Sequence, residues 1–94
     1  MSDTSREAQK QAVIDRIREL REALSREPIS DTVTKARHQS DRLEQGLALA
    51  HPEGIRFAAH TLLKLLDKAH SPSDAVAQAR DRLKSALAEG GFPH

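Results

Sequence analysis

The sequence predicts an all-α fold, a four-helix bundle with up-down-up-down antiparallel topology, on three observations. Aromatic residues are 2% of the chain and charged residues 31%, which is typical of helices around a thin core rather than of sheets. Apolar residues recur every three or four positions in four segments. Proline or glycine marks the breaks between these segments, and breaks this short favour antiparallel neighbours.

We therefore predict a single domain over residues 1–94. An alternative is a pair of helical hairpins that complete a bundle by dimerisation. In either case the predicted helices span about 5–26, 30–50, 53–70 and 72–89, followed by a tail at 90–94.

The first predicted helix has a capping box, with Thr4 at the N-cap and Glu7 reaching back from the third helical position. Its apolar residues form a narrow seam of the coiled-coil type. The other positions are mostly charged or amidic, as on a solvated face. The seam consists of Val13, Ile17, Leu20 and Leu24.

Pro28 ends the first helix or opens the second, and Ser30 and Asp31 are both good N-cap residues for the second. We interpret Gly46 as a tolerated helical glycine, with a close helix crossing as the less favoured alternative. The second seam is also narrow, so we predict a homodimer that forms through these two seams. The residues of the second seam are Ile29, Val33, Ala36, Ser40, Leu43, Leu47 and Ala50.

The third helix begins near Pro52 and Glu53, which suit a first helical turn. Its apolar arc is about 160° wide, so we expect this helix to touch several neighbours and to be the central packing element. His51 is interpreted as a loop or capping residue. The arc consists of Ile55, Ala58, Ala59, Leu62, Leu63, Leu65, Leu66 and Ala69.

The fourth helix has the strongest local start signal, with Ser71 at the N-cap, Pro72 at the first helical position and Asp74 at the third. Gly90 and Gly91 end it. Phe92 then either docks the short tail onto the bundle or leaves it frayed.

The totals exclude several classes of function. Fifteen Lys and Arg residues balance 14 Asp and Glu residues, which argues against nucleic-acid and anionic-membrane partners. No apolar run approaches the ~20 residues of a membrane span, the N-terminal segment is too polar for a signal peptide, and cysteine is absent. We therefore expect a cytoplasmic protein. A role at a lipid surface is the least favoured of the three functions that the sequence allows.

Metal and cofactor sites are not predicted. No two of the five histidines are three or four residues apart, and no Glu-x-x-His pair occurs. Phosphate-binding loops and hydrolase motifs are missing as well. We expect a protein that is not an enzyme and has no metal or cofactor.

The outer face of the third helix is the predicted binding surface, because packing does not require its side chains. Phe57 there either anchors a partner or folds back onto the corner between the second and third helices. This surface consists of Arg56, Phe57, His60, Lys64 and Asp67.

The stretch Ala58-Ala59-His60-Thr61-Leu62-Leu63-Lys64 resembles the active helix of histidine phosphotransfer domains, which are four-helix bundles with an exposed Ala-His-x-Leu-Lys-Gly pattern. Here the lysine comes one residue later and the glycine is absent. The resemblance covers seven residues and implies His60 as a phosphoryl acceptor, with Arg56 and Lys64 stabilising the anion.

From these observations we predict a small interaction or regulatory module without catalysis, which acts with a protein partner and is itself a homodimer. The alternative is the phosphotransfer bundle built on His60.

Overall fold

The protein is an all-α four-helix bundle, as the sequence predicted. A computed structural model describes residues 2–68 and 73–94, with side chains described for 6–67 and 73–94. No strand occurs in these ranges. The predicted end of the third helix and start of the fourth fall on residues 69–72, outside the described residues. The helices are α1 (Ser2–Ser25), α2 (Asp31–Ala48), α3 (Pro52–Lys68) and α4 (Asp74–Glu89).

The helices pack as a ring in which each contacts its two neighbours. The most extensive interfaces are α2–α3 and α1–α4, and α3–α4 is the least extensive. Within the described residues, no two Cα atoms of diagonally opposite helices lie within 8 Å of each other. The prediction that α3 is the central element is therefore wrong, because its apolar face packs mainly against α2 and its flanking Leu63 and Leu65 stay partly exposed.

The core uses both of the predicted narrow seams. Val13, Ile17, Leu20 and Leu24 of α1 are at most 3% exposed, and so are Ala36, Leu43 and Leu47 of α2. One chain closes the bundle by itself, so the seams that were predicted to form a dimer are already buried within the monomer. Ser40 is buried among them and donates to the carbonyl of Arg37 at 2.7 Å, which satisfies its hydroxyl.

Of the predicted N-caps that fall within the described residues, Thr4 is wrong and Ser30 is confirmed. The α1 backbone is helical from Ser2, so Thr4 lies inside the helix and lacks the extended backbone of a cap. Helix α4 is capped by Ser73, whose hydroxyl accepts from the Val76 N–H at 3.2 Å. The predicted cap, Ser71, lies outside the described residues. Ser30 caps α2 as Ser73 caps α4, through the N–H of Val33.

The ends of the second predicted seam also differ from expectation. Ile29 precedes the Ser30 cap, lies outside the helix and is 95% exposed. Ala50 follows the last turn of α2 and is exposed. Pro28 neither opens α2 nor directly ends α1, because α1 already ends at Ser25.

The tail after α4 is docked. The N–H of Gly91 donates to the Ala88 carbonyl and the N–H of Phe92 to the Leu87 carbonyl, the Schellman pattern of a helix C-terminus. Gly91 takes the left-handed conformation that this pattern needs, with φ of 68°. The Phe92 ring is 5% exposed, and the Arg6 guanidinium lies 4.8 Å from its centroid.

Candidate interaction surface

The corner between α2 and α3 is a tight reversal held by backbone hydrogen bonds. The N–H of Ala50 donates to the Leu47 carbonyl at 3.2 Å, and the N–H of His51 to the Gly46 carbonyl at 3.0 Å. This is again the Schellman pattern, but alanine replaces glycine at the left-handed position, with φ of 52°. The backbone of Ala50 is therefore strained, since a Cβ disfavours this region by ~1 kcal/mol or more.

His51 connects the end of α2 to the start of α3, which confirms its interpretation as a capping residue. Its Nδ1 accepts a hydrogen bond from the Gly54 N–H at 3.0 Å, and its own N–H closes α2. This geometry requires an unprotonated Nδ1. One residue thus satisfies donors and acceptors of two helices and fixes the direction in which α3 leaves the corner.

Gly46 lets the two helices approach closely at this corner, which corrects its interpretation as a merely tolerated residue. It is buried, and a Cβ built on it would lie 3.2 Å from the backbone nitrogen of Ile55 and 3.4 Å from the Gly54 carbonyl carbon. The α2–α3 contact is therefore backbone against backbone at this point.

An open groove of about 690 Å³ lies outside this corner. Leu49 and Phe57, on its two sides, are 69% and 63% exposed. The Phe57 ring borders the corner without being buried in it, so it is not folded back there, and its role as a partner anchor stays a prediction. The lining residues are Arg42, Gln45, Gly46, Leu49, His51, Glu53, Gly54, Phe57 and Ala58.

A second, smaller depression of about 470 Å³ adjoins the groove at Phe57. It brings three of the predicted surface residues, Arg56, Phe57 and His60, together with Glu53 and with His94 of the tail. His60 is exposed, and its place in this depression is given by α3, which turns its side chain away from the core.

The other two predicted surface residues, Lys64 and Asp67, are exposed but line neither cavity. An oxygen of Asp67 lies 3.5 Å from the Arg80 guanidinium, so this carboxylate serves the contact between α3 and α4. Sequence reasoning missed Leu49 and Arg42, which belong to the groove. A large apolar residue two positions before the break at His51 was the available signal for Leu49.

The charges of α1 and α4 are largely neutralised within the chain. Glu19 accepts from Arg16 of its own helix at 2.9 Å and from Arg82 of α4. These hydrogen bonds, first that of Arg16 and then that of Arg82, lower the pKa of Glu19 below its ordinary value, because they favour the carboxylate.

The charges of α2 and α3 are distributed differently. Asp41 and Glu44 point back to Arg21 of α1, at 3.3 and 2.8 Å, and Asp67 is held by Arg80. Among the described residues, five cations of these helices have no carboxylate within 4.0 Å, against two such acids, Asp31 and Glu53. The cations are Lys35, Arg37, Arg42, Arg56 and Lys64, all exposed.

Clusters of metal-ligating side chains and helices able to span a membrane are both absent from the part of the chain that the structure describes. No cluster of three or more His, Asp or Glu side chains there is arranged to hold a metal ion. None of the helices there combines the length and the apolar character that crossing a bilayer requires.

Comparison of the chain with protein-family models, with curated proteins and with solved structures gave no match. Any function assigned to this surface therefore rests on the geometry of the groove and on the charges around it.

Proposed function

We propose that this chain is a protein–protein interaction or regulatory module without catalysis of its own, and that it acts through the α2–α3 corner. One observation carries the proposal: Leu49 and Phe57, both more than 60% exposed, border the same groove. A cytoplasmic location, expected from the sequence, is part of this proposal.

The physical reason is the free energy available from covering these side chains. Burying a leucine or phenylalanine that water now surrounds contributes roughly 1.5–3 kcal/mol each. Aromatic and arginine residues are enriched where interfaces bind most strongly, and Arg56 follows this pattern beside Phe57.

The corner also supports binding because it is held in place before a partner arrives. The backbone bonds at Ala50 and His51, and the His51 cap on Gly54, fix both sides of the groove. A surface ordered in advance loses less conformational entropy on association.

The test is photo-crosslinking in the source cell with the full chain. A photoreactive phenylalanine analogue replaces Phe57, and in a control chain it replaces Gln78, which is exposed on α4. We expect an adduct of discrete mass from position 57 and none from position 78. No adduct from position 57, or the same adducts from both positions, would contradict the proposal.

The predicted homodimer is one form of this function. With the α1 and α2 seams buried, a dimer has to use another surface, and the groove offers one on which Leu49 and Phe57 are both exposed. Light scattering at high micromolar concentration measures this directly: a dimeric mass that becomes monomeric in Phe57→Ala supports the dimer, and a monomeric mass for the wild-type chain rejects it.

His60 supports a second candidate function, phosphoryl transfer. Its imidazole is exposed in the depression that Arg56 and His94 also line, and Lys64 lies one turn further along α3. In this reaction an imidazole nitrogen attacks the phosphorus of a phosphorylated aspartate, the P–O bond breaks and the aspartate carboxylate leaves.

Incubation with acetyl phosphate or a phosphorylated receiver tests this candidate. Phosphorylation of His60 predicts an acid-labile label that is lost in His60→Gln and retained in His38→Gln, a matched change at an exposed histidine of α2. Equal labelling of both variants, or no labelling of the wild-type chain, rejects it.

A further inference from the structure

We infer that the α2–α3 groove binds an acidic amphipathic segment of a different protein. The segment places an apolar side chain between Leu49 and Phe57 and carboxylates beside Arg42 and Arg56. The inference rests on the proposed interaction function and adds the chemistry of the partner to it.

The charges around the groove carry this step. Arg42 lines the groove itself and Arg56 the adjoining depression, and neither has a carboxylate within 4.0 Å among the described residues. Glu53 is the single acid lining either cavity. A partner with carboxylates at both arginines would form ion pairs with them, as the chain's own carboxylates do with arginines of α1 and α4.

A second copy of the chain fits this surface less well. A two-fold dimer brings the same patch of both copies together. Arg42 and Arg56 of one copy would then meet a patch with the same excess of positive charge, with only Glu53 to offset it. Like charges in contact suppress an association, so the charge pattern favours a different, acidic partner.

The apolar borders favour a protein segment over another polyanion. Leu49 offers nothing to a phosphate backbone, and one phenylalanine is not a stacking platform for successive bases. A groove between two helices, with apolar residues on its borders, suits the apolar face of an amphipathic helix.

The probe is a designed peptide of about 18 residues, long enough to form a helix. It has leucines along one face and glutamates elsewhere, and a matched peptide has lysines in place of the glutamates. Both are titrated into the full-length, isotope-labelled chain and followed by NMR. We expect the acidic peptide to shift the amides of Leu49, Phe57 and Ala58 and to bind at least ~10-fold tighter than the basic one.

Charge reversal provides a second test. The double variant Arg42→Glu/Arg56→Glu removes the two cations of the site. The control Arg37→Glu/Lys84→Glu makes the same change in net charge at two exposed cations that line neither cavity. We expect a loss of at least ~10-fold in affinity for the acidic peptide in the first variant and less than ~2-fold in the second. Circular dichroism shows that both variants keep their helices.

Four outcomes would overturn the inference: equal binding of the two peptides, equal losses in the two variants, shifts confined to α1 and α4, or a stronger response to a single-stranded oligonucleotide than to the acidic peptide. Self-association that shifts the Leu49 and Phe57 amides would assign the groove to a second copy instead.

The photo-crosslinking experiment with the phenylalanine analogue at position 57 distinguishes a failure of this inference from a failure of the proposed function. If the adduct at position 57 persists undiminished in Arg42→Glu/Arg56→Glu, the partner is not held by its acidic groups, and the interaction function stands without the inference. If position 57 gives no adduct at all, the interaction function itself fails.

Discussion

The two most extensive helix pairs of this bundle are held together in different ways. Helix α1 is linked to α4 by the Arg82 to Glu19 ion pair, and to the tail that follows α4 by the Arg6 contact with Phe92. Between α2 and α3 no ion pair occurs within the described residues, and the helices instead meet backbone to backbone at Gly46.

The difference explains why one side of the molecule has a candidate site. A pair that packs through glycine needs neither long side chains nor charges to hold it, so the arginines of α2 and α3 stay available at the surface. Around α1 and α4, several of the arginines already bind carboxylates of the chain. Four predictions test this contrast, from the largest expected effect to the smallest.

The two faces of α3 provide the largest contrast. Leu62 is fully buried and Phe57 is 63% exposed on the same helix. We expect Leu62→Ala to lower the free energy of unfolding by about 2–5 kcal/mol, because it leaves a cavity. Phe57→Ala should change it by less than ~0.5 kcal/mol. Urea unfolding measures both, and a loss of several kcal/mol in Phe57→Ala would show that the ring serves the fold rather than a partner.

The close approach at Gly46 is tested by Gly46→Val. Its Cβ and methyl groups meet the backbone of Ile55 and Gly54, which cannot move aside as a flexible side chain would, so we expect a loss of about 1–3 kcal/mol. The control is Ala48→Val, at an exposed position of the same helix, where helix propensity alone predicts a loss below ~1 kcal/mol. Equal stabilities in thermal unfolding would contradict the backbone contact.

The two Schellman ends make a matched pair with opposite expected signs. Ala50 and Gly91 occupy the same left-handed position after α2 and α4. Ala50→Gly should relieve strain and raise the free energy of unfolding by ~0.5 kcal/mol, after the greater entropy of unfolded glycine is subtracted. Gly91→Ala should lower it by about 1 kcal/mol, and since a Cβ there meets nothing within 4 Å, the loss is one of backbone conformation. Changes of the same sign in chemical unfolding would reject this account.

Glu19 tests the ion pairs between α1 and α4 by their pH dependence. Because its pKa is lowered in the folded chain, the stability it contributes is complete above the ordinary glutamate pKa of about 4.3 and is lost as the pH falls through the lowered value. Glu19→Gln should therefore cost no more than ~1 kcal/mol at pH 7, because the pair is partly exposed, and nothing in strong acid.

The control for this prediction is Glu89→Gln, whose carboxylate has no ion pair among the described residues. Urea unfolding of both variants at several pH values makes the comparison. A difference between wild type and Glu19→Gln that stays constant with pH would show that the carboxylate's charge is not what stabilises the pair.

The periodicity of apolar residues was sufficient to predict the fold and most of the α1 and α2 seams. In α1, for example, Val13, Ile17, Leu20 and Leu24 have to share one side of any helix. The periodicity was not sufficient for the ends of the helices. Ser71 and Ser73 are both chemically competent caps, and the choice between them depends on where the chain turns. Ile29 fits the spacing of the α2 seam but comes before the residue that caps that helix.

The candidate site was predictable in part for a similar reason. The helical wheel correctly placed Phe57, His60 and Arg56 on the exposed face of α3, because angular position around the helix axis is enough to predict which side chains point away from the core. The width of an apolar arc, however, does not say which neighbour covers it, so α3 was wrongly taken as central. Ion pairs between helices, such as that of Arg21 with Glu44, determine which arginines remain without a carboxylate. The spacing of residues along the chain does not contain that information.

The docked tail has a practical consequence. His94 lines the same depression as Phe57. Its Nδ1 lies 2.9 Å from the carbonyl oxygen of Phe92. A solvatochromic dye attached at residue 94 would therefore sit beside the groove and report its occupancy by a change in emission. A bulky purification tag attached near residue 94 would sit in the same place and obstruct the groove, so a tag of that kind is best attached at an exposed position of α4, such as residue 78.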